Sequence, residues 1–519
     1  MVGRPGHRSY PVLAAIASAA VVGIDAYHIL VEVDVAAGLP QWTIVGLPAG
    51  AVKESRERVS AALVNSGFEV PPRRVTINLA PADTRKDGTA FDLPIALGLL
   101  VATGQLRRGA TDGIVALGEL GLDGSLRPVR GMLPVARLLA RSSDTPTLVL
   151  PPPNAPEAGL VSALKLSATP TLSTLVDALR REALPPPPTA SCLTSEPDDG
   201  ADMADVAGQA LAKRALEIAA AGGHAVLMIG PPGTGKTMLA RRLPTVLPAL
   251  GESEALEVVA IHSVAGLVTP GEAPSGRRPF RAPHHTLSAA ALIGGGSGPR
   301  PGEVSLAHHG VLFLDELQEM PRHVLDALRQ PLEEGRVVIA RAARSVAFPA
   351  RFTLVGAMNP CPCGRLGSAN GTACSCSSMD IARHRSKVSG PLADRIDMTV
   401  RVPTVPLRVL ADRERAESSS IIRQRVEMAR ARQAVRYRSF AAVQCNAHVH
   451  GRWLDSNGMI DARARELLAS AATKLSLSAR GYHRVLKVAR TIADLDGDEA
   501  ISSRHVSEAL HYRTDRGDT

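Results

Sequence analysis

Eight residues near the middle of the chain have the types and spacing of a phosphate-binding loop, Gly230-Pro231-Pro232-Gly233-Thr234-Gly235-Lys236-Thr237. An apolar run (225–229) precedes the loop and a helix-like run (238–243) follows it, in the order strand, glycine loop, helix. In such a loop, backbone N–H groups and the helix N-terminus surround a polyphosphate. Lys236 is then expected to reach the β- and γ-phosphates, and Thr237 to offer its hydroxyl to Mg²⁺. The pattern predicts a nucleoside triphosphate site.

Two further apolar runs, 311–314 and 353–358, end in polar residues suited to the same site. Parallel strands bring the residues at their carboxyl ends to one edge of a sheet. Asp315 is expected to hold Mg²⁺ largely through its waters, and Glu316 to orient and deprotonate the attacking water. Asn359 is expected to hydrogen-bond that water or the γ-phosphate. Together these residues predict nucleotide hydrolysis.

The composition of the 519-residue chain is that of a globular protein, with 45% hydrophobic and 21% charged residues. The net charge of +9 is compatible with a nucleic-acid partner, although arginine supplies nearly all of the positive charge. No run reaches the ~18 apolar residues of a membrane span, so no membrane partner is expected.

The N-terminus is superficially similar to a signal peptide, because Arg4, His7 and Arg8 precede an apolar stretch over residues 11–24. That stretch runs directly into Asp25 and a strand-like segment, without a convincing cleavage site. We therefore expect a folded first strand and a cytoplasmic protein.

The sequence divides into five predicted regions. They are an α+β domain (1–183), a proline-rich linker (184–204), an α/β phosphate-loop core with a parallel sheet (205–403), a basic helical connector (404–454) and a helical lid (455–519). In the first region we predict strands at 28–35, 42–45, 74–78, 113–117 and 147–150, and helices at 51–65, 93–103 and 133–139. Residues 254–301 are too long for an ordinary connection and are predicted to be an inserted functional element.

Two segments of the first region, residues 85–94 and 116–129, resemble the Lon-protease-like domain (the ribosomal S5 domain 2-like fold). True proteases of this fold use a Ser/Lys dyad. Here Ala90 stands at the serine position, and Met132 and Leu133 stand where a lysine is needed. Neither a hydroxyl nucleophile nor an amine base is available, so we predict a binding or assembly platform rather than a peptidase.

Three segments of the later regions resemble AAA+ ATPases. Gln209 ends a segment of the kind that lies against the adenine. Residues 391–397 resemble the segment whose arginine, here Arg395, enters the neighbouring subunit's ATP site; the alternative is a local ion pair with Asp394 or Asp397. Arg480 stands where AAA+ lids contact the γ-phosphate.

The whole pattern resembles the ComM/YifB family of magnesium-chelatase-subunit-like AAA+ proteins, over residues 12 to 512. The segments that carry the resemblance are Thr43-Ile44-Val45-Gly46-Leu47-Pro48, Asn78-Leu79-Ala80-Pro81-Ala82-Asp83, Pro279-Phe280-Arg281-Ala282-Pro283-His284-His285-Thr286, Pro301-Gly302-Glu303-Val304-Ser305-Leu306-Ala307-His308-His309-Gly310 and Met358-Asn359-Pro360-Cys361-Pro362-Cys363-Gly364. The resemblance implies a hexameric, ATP-driven DNA helicase that promotes branch migration during recombination of incoming DNA in natural transformation.

In this interpretation, ATP and Mg²⁺ are the cofactors and single-stranded or branched DNA is the partner. DNA would pass through a central pore and touch loops within 254–301 and a hairpin around 336–344. One alternative is a chelatase motor that remodels a metal-insertion partner. Another is a scaffold in which ATP only switches the assembly state.

Cys361, Cys363, Cys374 and Cys376 form two C-x-C pairs, and four thiolates suit tetrahedral Zn²⁺. Zinc and four reduced thiols remain the two alternatives for this cluster. The pairs His284-His285 and His308-His309 are expected to be structural, because adjacent residues of a strand point to opposite faces and chelate poorly.

Residues 405–439 carry nine arginines against four acids and are predicted to be helical. The segment could form a DNA-facing stripe or a solvated helix surface.

Overall fold

The computed structural model describes residues 13–83, 86, 88–187, 193–194, 200–296, 298–341, 344–367, 373–388, 390–406, 409, 416–440 and 443–514. Arg85 and Asp87 of the Lon-like segment, and much of the predicted linker, lie outside these residues. The chain forms two compact units. The first unit runs to residue 195 and includes 255–276 and 297–300, and the second unit holds the remainder.

A four-stranded sheet in the order β1-β2-β4-β3 supports the first unit. Its strands are β1 (Leu13–Val22), β2 (Asp25–Ala36), β3 (Gln41–Val45) and β4 (Arg74–Ala80), of which β3 and β4 are parallel and the other pairs antiparallel. Ile29, Val31 and Val33 of β2 are buried at alternate positions, as expected for a sheet with one packed face. The helix Asp92–Ala102 is buried throughout and packs so closely that a Cβ on Gly98 would lie 2.5 Å from Val33 Cγ2.

The rest of the first unit is built from short elements. A parallel sheet joins β5 (Ile114–Ala116), β8 (Thr147–Leu150) and β9 (Leu166–Ala168), and a hairpin joins β6 (Glu119–Leu120) to β7 (Leu126–Arg127). The remaining helices are Gly50–Lys53, Ser55–Asn65, Met132–Ala140, Ala155–Ala158 and Leu172–Arg180. The helix predicted over 51–65 is therefore two helices that meet at Glu54.

A helix from the predicted inserted element belongs mostly to the first unit. This helix, Glu252–Ala265, places Val259 and Ala260 against Leu133 of the helix Met132–Ala140. The hydroxyl of Ser263 accepts a hydrogen bond from the Gly131 N–H at 2.9 Å. The sequence pattern did not predict this helix.

Glu157 is buried beside the N-terminus of the helix Met132–Ala140. Its carboxylate accepts a hydrogen bond from the Leu133 N–H at 2.6 Å, at the N-terminus of the helix Met132–Ala140. Burial raises the pKa of Glu157 to about 7, although hydrogen bonds from Ser263 and Leu133 favour the ionised form.

A five-stranded, wholly parallel sheet in the order β11-β14-β17-β10-β18 forms the second unit's centre. These strands are β10 (Val226–Ile229), β11 (Phe280–Arg281), β14 (Val311–Leu314), β17 (Thr353–Met358) and β18 (Met398–Arg401). Two-residue strands β12 (Gly294–Gly295) and β13 (Arg300–Pro301) lie between β11 and β14 in sequence, and β15 (Arg336–Arg341) pairs with β16 (Arg344–Pro349) as the predicted hairpin. Because the large sheet is parallel, the residues after β10, β11, β14 and β17 meet at one edge.

Helices surround this sheet and form the C-terminal lid. Besides Glu252–Ala265, the α-helices described between residues 205 and 403 are Ala210–Gly222, Lys236–Val246, Ala289–Ile293, Glu303–Leu306, Arg322–Ala327, Arg329–Glu334, Ser378–Ser386 and Gly390–Ala393. Those that follow are Ser419–Arg436, Gly451–Asn457, Ala462–Lys474, Ala479–Asp496 and Ser503–Thr514. One hydrophobic cluster contains both sheet residues such as Val355 and lid residues such as Val485.

The predicted fold class is confirmed: a parallel α/β core is followed by a helical C-terminal region. Within the part of the chain that the structure describes, no helix is long and apolar enough to cross a membrane. The five-region division stays a prediction.

Candidate nucleotide-hydrolysis site

The phosphate loop has a backbone that requires glycine. Gly233 and Gly235 have φ of 76° and 88°, in the left-handed region where side chains are strained. Gly230 lies against the segment that follows β18, and a Cβ there would be 2.2 Å from the carbonyl oxygen of Val402. The loop connects β10 to the helix Lys236–Val246, as the sequence predicted.

Lys236 is buried and fixed to the loop that precedes it. Its Nζ donates to the carbonyl oxygens of Gly230 at 2.6 Å and Pro231 at 2.9 Å, and lies 3.5 Å from Asn359 Oδ1. Burial lowers the pKa of Lys236, whereas the nearby Asp315 and Glu316 raise it. The structure thus brings the predicted lysine, sensor asparagine and acidic pair together.

Thr237 and Asp315 form an oxygen-rich pair next to the lysine. The Thr237 hydroxyl donates to Asp315 Oδ2 at 2.9 Å, and Asp315 Oδ1 accepts a hydrogen bond from the Glu316 N–H at 2.9 Å. Mg²⁺ prefers hydroxyl, carboxylate and water oxygens. These residues fit Mg²⁺ as sequence predicted, with Thr237 and Asp315 as the groups that would hold it.

Glu316 has an unexpected neighbour. His285 Nδ1 lies 3.1 Å from Glu316 Oε2. His285 belongs to the loop after β11, and β11 lies beside β14, so the parallel sheet delivers both side chains to one edge. The sequence analysis did not assign His285 to the site. The assignment would have required knowing that β11 lies beside β14, because this pairing brings the residues after both strands together.

The histidine pairs do not lie in strands. The rings of His284 and His285 are 4.1 Å apart, and those of His308 and His309 are 3.9 Å apart, so each pair is on one side of its backbone. The argument from strand geometry was therefore wrong. His308 has a structural role nonetheless, since its Nδ1 accepts a hydrogen bond from the Arg351 N–H at 3.0 Å.

Gln209 lies next to the phosphate loop. Its Nε2 donates to the carbonyl oxygens of Pro403 at 2.7 Å and Thr234 at 3.3 Å. Gln209 has a φ of 53°, immediately before the helix Ala210–Gly222. It connects the start of the core to the loop and to the segment that follows β18.

The structure also describes the two predicted arginines, Arg395 and Arg480. Arg395 forms an ion pair with Glu333. Arg480 is exposed in the first turn of the helix Ala479–Asp496, and it makes no hydrogen bond or ion pair with the residues that the structure describes. Their catalytic roles stay predictions.

A buried carboxylate attaches the lid to the core. Asp397 contacts Arg484 of the lid at 2.7 Å, His224 Nδ1 at 3.4 Å and the Ala225 N–H at 3.1 Å. Burial opposes ionisation of Asp397, but Arg484 and His224 outweigh it and hold its pKa well below the usual range. His224 also hydrogen-bonds the Thr491 hydroxyl of the lid at 2.7 Å.

Four arginines of the helix Ser419–Arg436 have partners in the core or the lid. Arg423 and Arg430 donate to the carbonyl oxygens of Thr245 and Ala220, near the C-terminal ends of two core helices. Others pair with acids, namely Arg425 with Glu217 and Glu417, and Arg436 with Asp494. These four arginines join the helix to the core and to the lid, whereas the DNA-facing stripe and the solvated surface over residues 405–439 stay predictions.

The four cysteines of the two C-x-C pairs converge. The sulfur atoms of Cys361 and Cys363 are 3.4 Å apart, and each lies 3.6 Å from the sulfur of Cys374. All four sulfurs, including that of Cys376, lie within 4.8 Å of one another. The cluster is close to the nucleotide site, because a Cβ on Gly364 would be 3.0 Å from Pro232 of the phosphate loop.

Three family models match the chain, and all describe one protein family. Residues 202–410 match magnesium chelatase subunit ChlI, residues 31–154 match subunit ChlI of Mg-chelatase, and residues 416–513 match the C-terminal part of magnesium chelatase subunit ChlI. Together these matches cover most of both units.

Several proteins are similar to the chain over nearly its whole length. Competence protein ComM of Haemophilus influenzae is 43% identical over 507 residues, which cover 96% of this chain and 97% of that protein. The protein YifB of Salmonella typhimurium is 42% identical over 503 residues, with the same coverage. The magnesium-chelatase 38 kDa subunit of Cereibacter sphaeroides is 30% identical over 171 residues, which cover 30% of this chain and 51% of that subunit. The chain belongs to the ComM/YifB family of magnesium-chelatase-like AAA+ ATPases.

Proposed function

We propose that this protein is a hexameric AAA+ motor of the cytoplasm that uses ATP hydrolysis to move single-stranded or branched DNA, as a helicase that promotes branch migration in the recombination of incoming DNA. The observation that carries the hydrolytic part is the meeting of Lys236, Thr237, Asp315 and Glu316 at one edge of the sheet. The DNA part is supported by the near-full-length similarity to a competence protein.

The chain's own groups account for binding and proton transfer. Bound Mg·ATP supplies the γ-phosphoryl group and a cation that neutralises its charge. Lys236 would orient the phosphates from its position beside Gly230 and Pro231, and Thr237 and Asp315 would hold the metal. Glu316 accepts a proton from the attacking water at a carboxylate oxygen, and Asn359 orients that water.

A second subunit would complete this site. Arg395 from the neighbour would stabilise the negative charge that develops on the γ-phosphate, which requires it to leave Glu333. Arg480 of the lid would approach the same group when the lid closes. DNA would contact the hairpin β15–β16 and loops within 254–301.

Hydrolysis is tested by the substitution Glu316→Gln, which keeps the shape of the side chain but removes the base. We expect ATP binding to persist while DNA-stimulated turnover falls by about 100-fold or more. Glu319→Gln is the matched control, because Glu319 lies three residues further on, outside the site, and pairs with Lys387. Turnover equal to wild type in Glu316→Gln would overturn the assigned base.

The choice of partner is tested by ATPase rates with forked, single-stranded and duplex DNA. Stimulation by any of these supports the DNA motor. An unchanged rate with all three would contradict the DNA motor. It would favour the alternative, a magnesium-chelatase-like ATPase that remodels a metal-insertion partner, which the similarity to magnesium chelatase subunit ChlI supports.

We also propose that the four-cysteine cluster binds one Zn²⁺ that braces the loop after Asn359. Tetrahedral zinc with Zn–S bonds of about 2.3 Å places sulfurs about 3.8 Å apart, close to the 3.4 and 3.6 Å observed. Metal analysis should find about one zinc per chain, lost in Cys363→Ser and retained in Cys445→Ser, whose thiol lies outside the cluster. Metal-free, folded wild-type protein would identify four reduced thiols instead.

A further inference from the structure

A basic cavity of about 230 Å³ opens at the edge of the parallel sheet opposite the phosphate loop. Its walls include Gly223, Gly310 and Phe352, which come just before β10, β14 and β17. Parallel strands begin at one edge and end at the other, and the phosphate loop follows the end of β10. The cavity is therefore separate from the nucleotide site.

Three arginines from distant parts of the sequence line this cavity, namely Arg278, Arg351 and Arg430. Among the described lining residues, Glu254 is the one carboxylate, and it already pairs with Arg278 at 3.0 Å. Burial lowers the pKa of Arg278, and Arg430 lowers it further while Glu254 raises it. The three guanidinium groups therefore lack full compensation by carboxylates.

A thiolate compensates part of this charge. Cys445 is buried in the cavity wall with its sulfur 3.4 Å from His448 Nδ1. Burial opposes ionisation, but His448 and Arg430 lower the pKa of Cys445 to about 5. Three guanidinium groups against one carboxylate and one thiolate still leave a net positive charge.

The hydrogen-bond donors in the cavity are only partly used. Arg278 uses most of its donors, on the carbonyl oxygens of Pro248, Ala249 and His309 and on Glu254. Arg430 uses its Nε and Nη2 on the carbonyl oxygen of Ala220. A guanidinium has five N–H donors, and Nη1 of Arg430 makes no hydrogen bond with the described residues, so its donors are unused.

Arg351 retains all of its side-chain donors. It makes no side-chain hydrogen bond or ion pair with any residue that the structure describes, although it precedes β17 and lines the cavity. Guanidinium groups bind phosphate through two parallel N–H···O bonds, and a site with excess positive charge favours such an anion.

We propose that this cavity binds a phosphate group, with Arg351 and Arg430 as its donors. The group is either free phosphate or a phosphodiester of DNA, since both present the same acceptor oxygens. This site is independent of the nucleotide loop and goes beyond the proposed hydrolysis.

The test uses a Lys236→Ala background, in which the nucleotide loop no longer competes for phosphate. Millimolar inorganic phosphate, compared with sodium chloride of equal ionic strength, should raise the thermal midpoint by a few degrees, roughly the shift expected from a ligand well above its Kd. Arg351→Ala should abolish this shift. Arg322→Ala, an exposed arginine elsewhere in the second unit, should keep it.

The two sources of phosphate are distinguished by the salt dependence of binding to a single-stranded oligonucleotide. If the cavity takes a DNA phosphodiester, Arg351→Ala should lower the slope of log K against log salt by about one. Loss of the thermal shift without a change in slope assigns free phosphate. If neither quantity changes in Arg351→Ala, or in Arg351→Gln when the alanine variant does not fold, the proposal is overturned.

Discussion

His285 is the side chain in contact with the proposed general base. A carboxylate that removes a proton from water must present the correct oxygen within hydrogen-bond distance. Glu316 follows its strand with a left-handed φ of 49°, and His285 touches one of its two oxygens. The contact engages one carboxylate oxygen and would leave the other for the attacking water, so we infer that His285 positions Glu316.

Substitution of His285 tests whether this side chain positions Glu316. His285→Ala should reduce kcat about 10-fold with little change in KM, because the base loses its orientation while the phosphate contacts remain. His285→Asn, which retains a donor near the Nδ1 position, should recover much of the loss. ATPase kinetics at saturating DNA measure both.

His284→Ala provides the control for that experiment. The His284 ring stacks beside His285, but its Nδ1 faces the Thr286 hydroxyl at 2.9 Å instead of Glu316. A faster basal rate in His285→Ala would contradict positioning, since it would mean that the histidine holds the base away from water.

At the scale of elements, local patterns predicted the strands and the phosphate loop well. The segments 28–35 and 147–150 are strands because their apolar residues suit a pleated, packed surface. The helix Glu252–Ala265 was missed because its apolar residues, including Val258, Val259 and Ile261, do not form one helical stripe.

The arginine-rich helix shows a different limit of sequence reasoning. Its charge content is visible in the sequence, but the acceptors of Arg423 and Arg430 are backbone carbonyls of distant helices. The last carbonyls of a helix lack partners within it and attract cations. Only the tertiary arrangement reveals that these arginines hold the helix against the core. The contact between His285 and Glu316 is likewise visible only in the folded structure.

The buried Glu157 makes the first unit sensitive to pH. Its folded pKa of about 7 lies above the usual carboxyl value, so the folded state binds the extra proton. The stability that this proton contributes is complete below about pH 4 and is lost as pH rises through 7, by roughly 3 kcal/mol. Glu157→Gln should remove this loss and unfold at higher urea than wild type at pH 8.

Tryptophan fluorescence can isolate that effect to the first unit. Trp42 lies in β3 of the first unit and Trp453 in the second, so a Trp453→Phe background leaves one reporter. Glu182→Gln, an exposed carboxylate of the same unit paired with Arg107, is the control. Equal pH dependence of urea unfolding in Glu157→Gln and its parent would show that Glu157 is not the titrating group.

At the scale of the whole molecule, the pairing of Arg395 with Glu333 bears on assembly. An isolated chain keeps this arginine in an ion pair within its own second unit. The proposed site requires it in the neighbouring subunit, so we expect assembly to exchange a carboxylate partner for a phosphate. Glu333 would then prevent Arg395 from being an unpaired charge before the ring forms.

Mixed rings test whether Arg395 acts between subunits. Arg395→Ala and Lys236→Ala should each be inactive alone, because one lacks the trans arginine and the other cannot hold the phosphates. When the two are co-expressed in equal amounts, about a quarter of the sites should combine an intact loop with an intact neighbouring arginine. The measured ATPase rate should recover accordingly.

One outcome of the mixing experiment would contradict a role for Arg395 between subunits. If Arg395 acts on its own subunit's nucleotide, mixing cannot restore any site, and the rate will equal the sum of the two inactive proteins. Size-exclusion chromatography shows whether the mixed protein assembled, so failure to form rings is recognised separately.

Arg395 and Asp397 are separated by one residue, Ile396, which is itself buried and accepts a hydrogen bond from Arg513 of the lid. Asp397 is bound to the lid of its own subunit through Arg484. Arg395 is proposed to enter the nucleotide site of the next subunit. A lid movement that displaces Asp397 would therefore change the timing of the adjacent active site. In the proposed ring, the lid position of one subunit would thus be coupled to hydrolysis in the next.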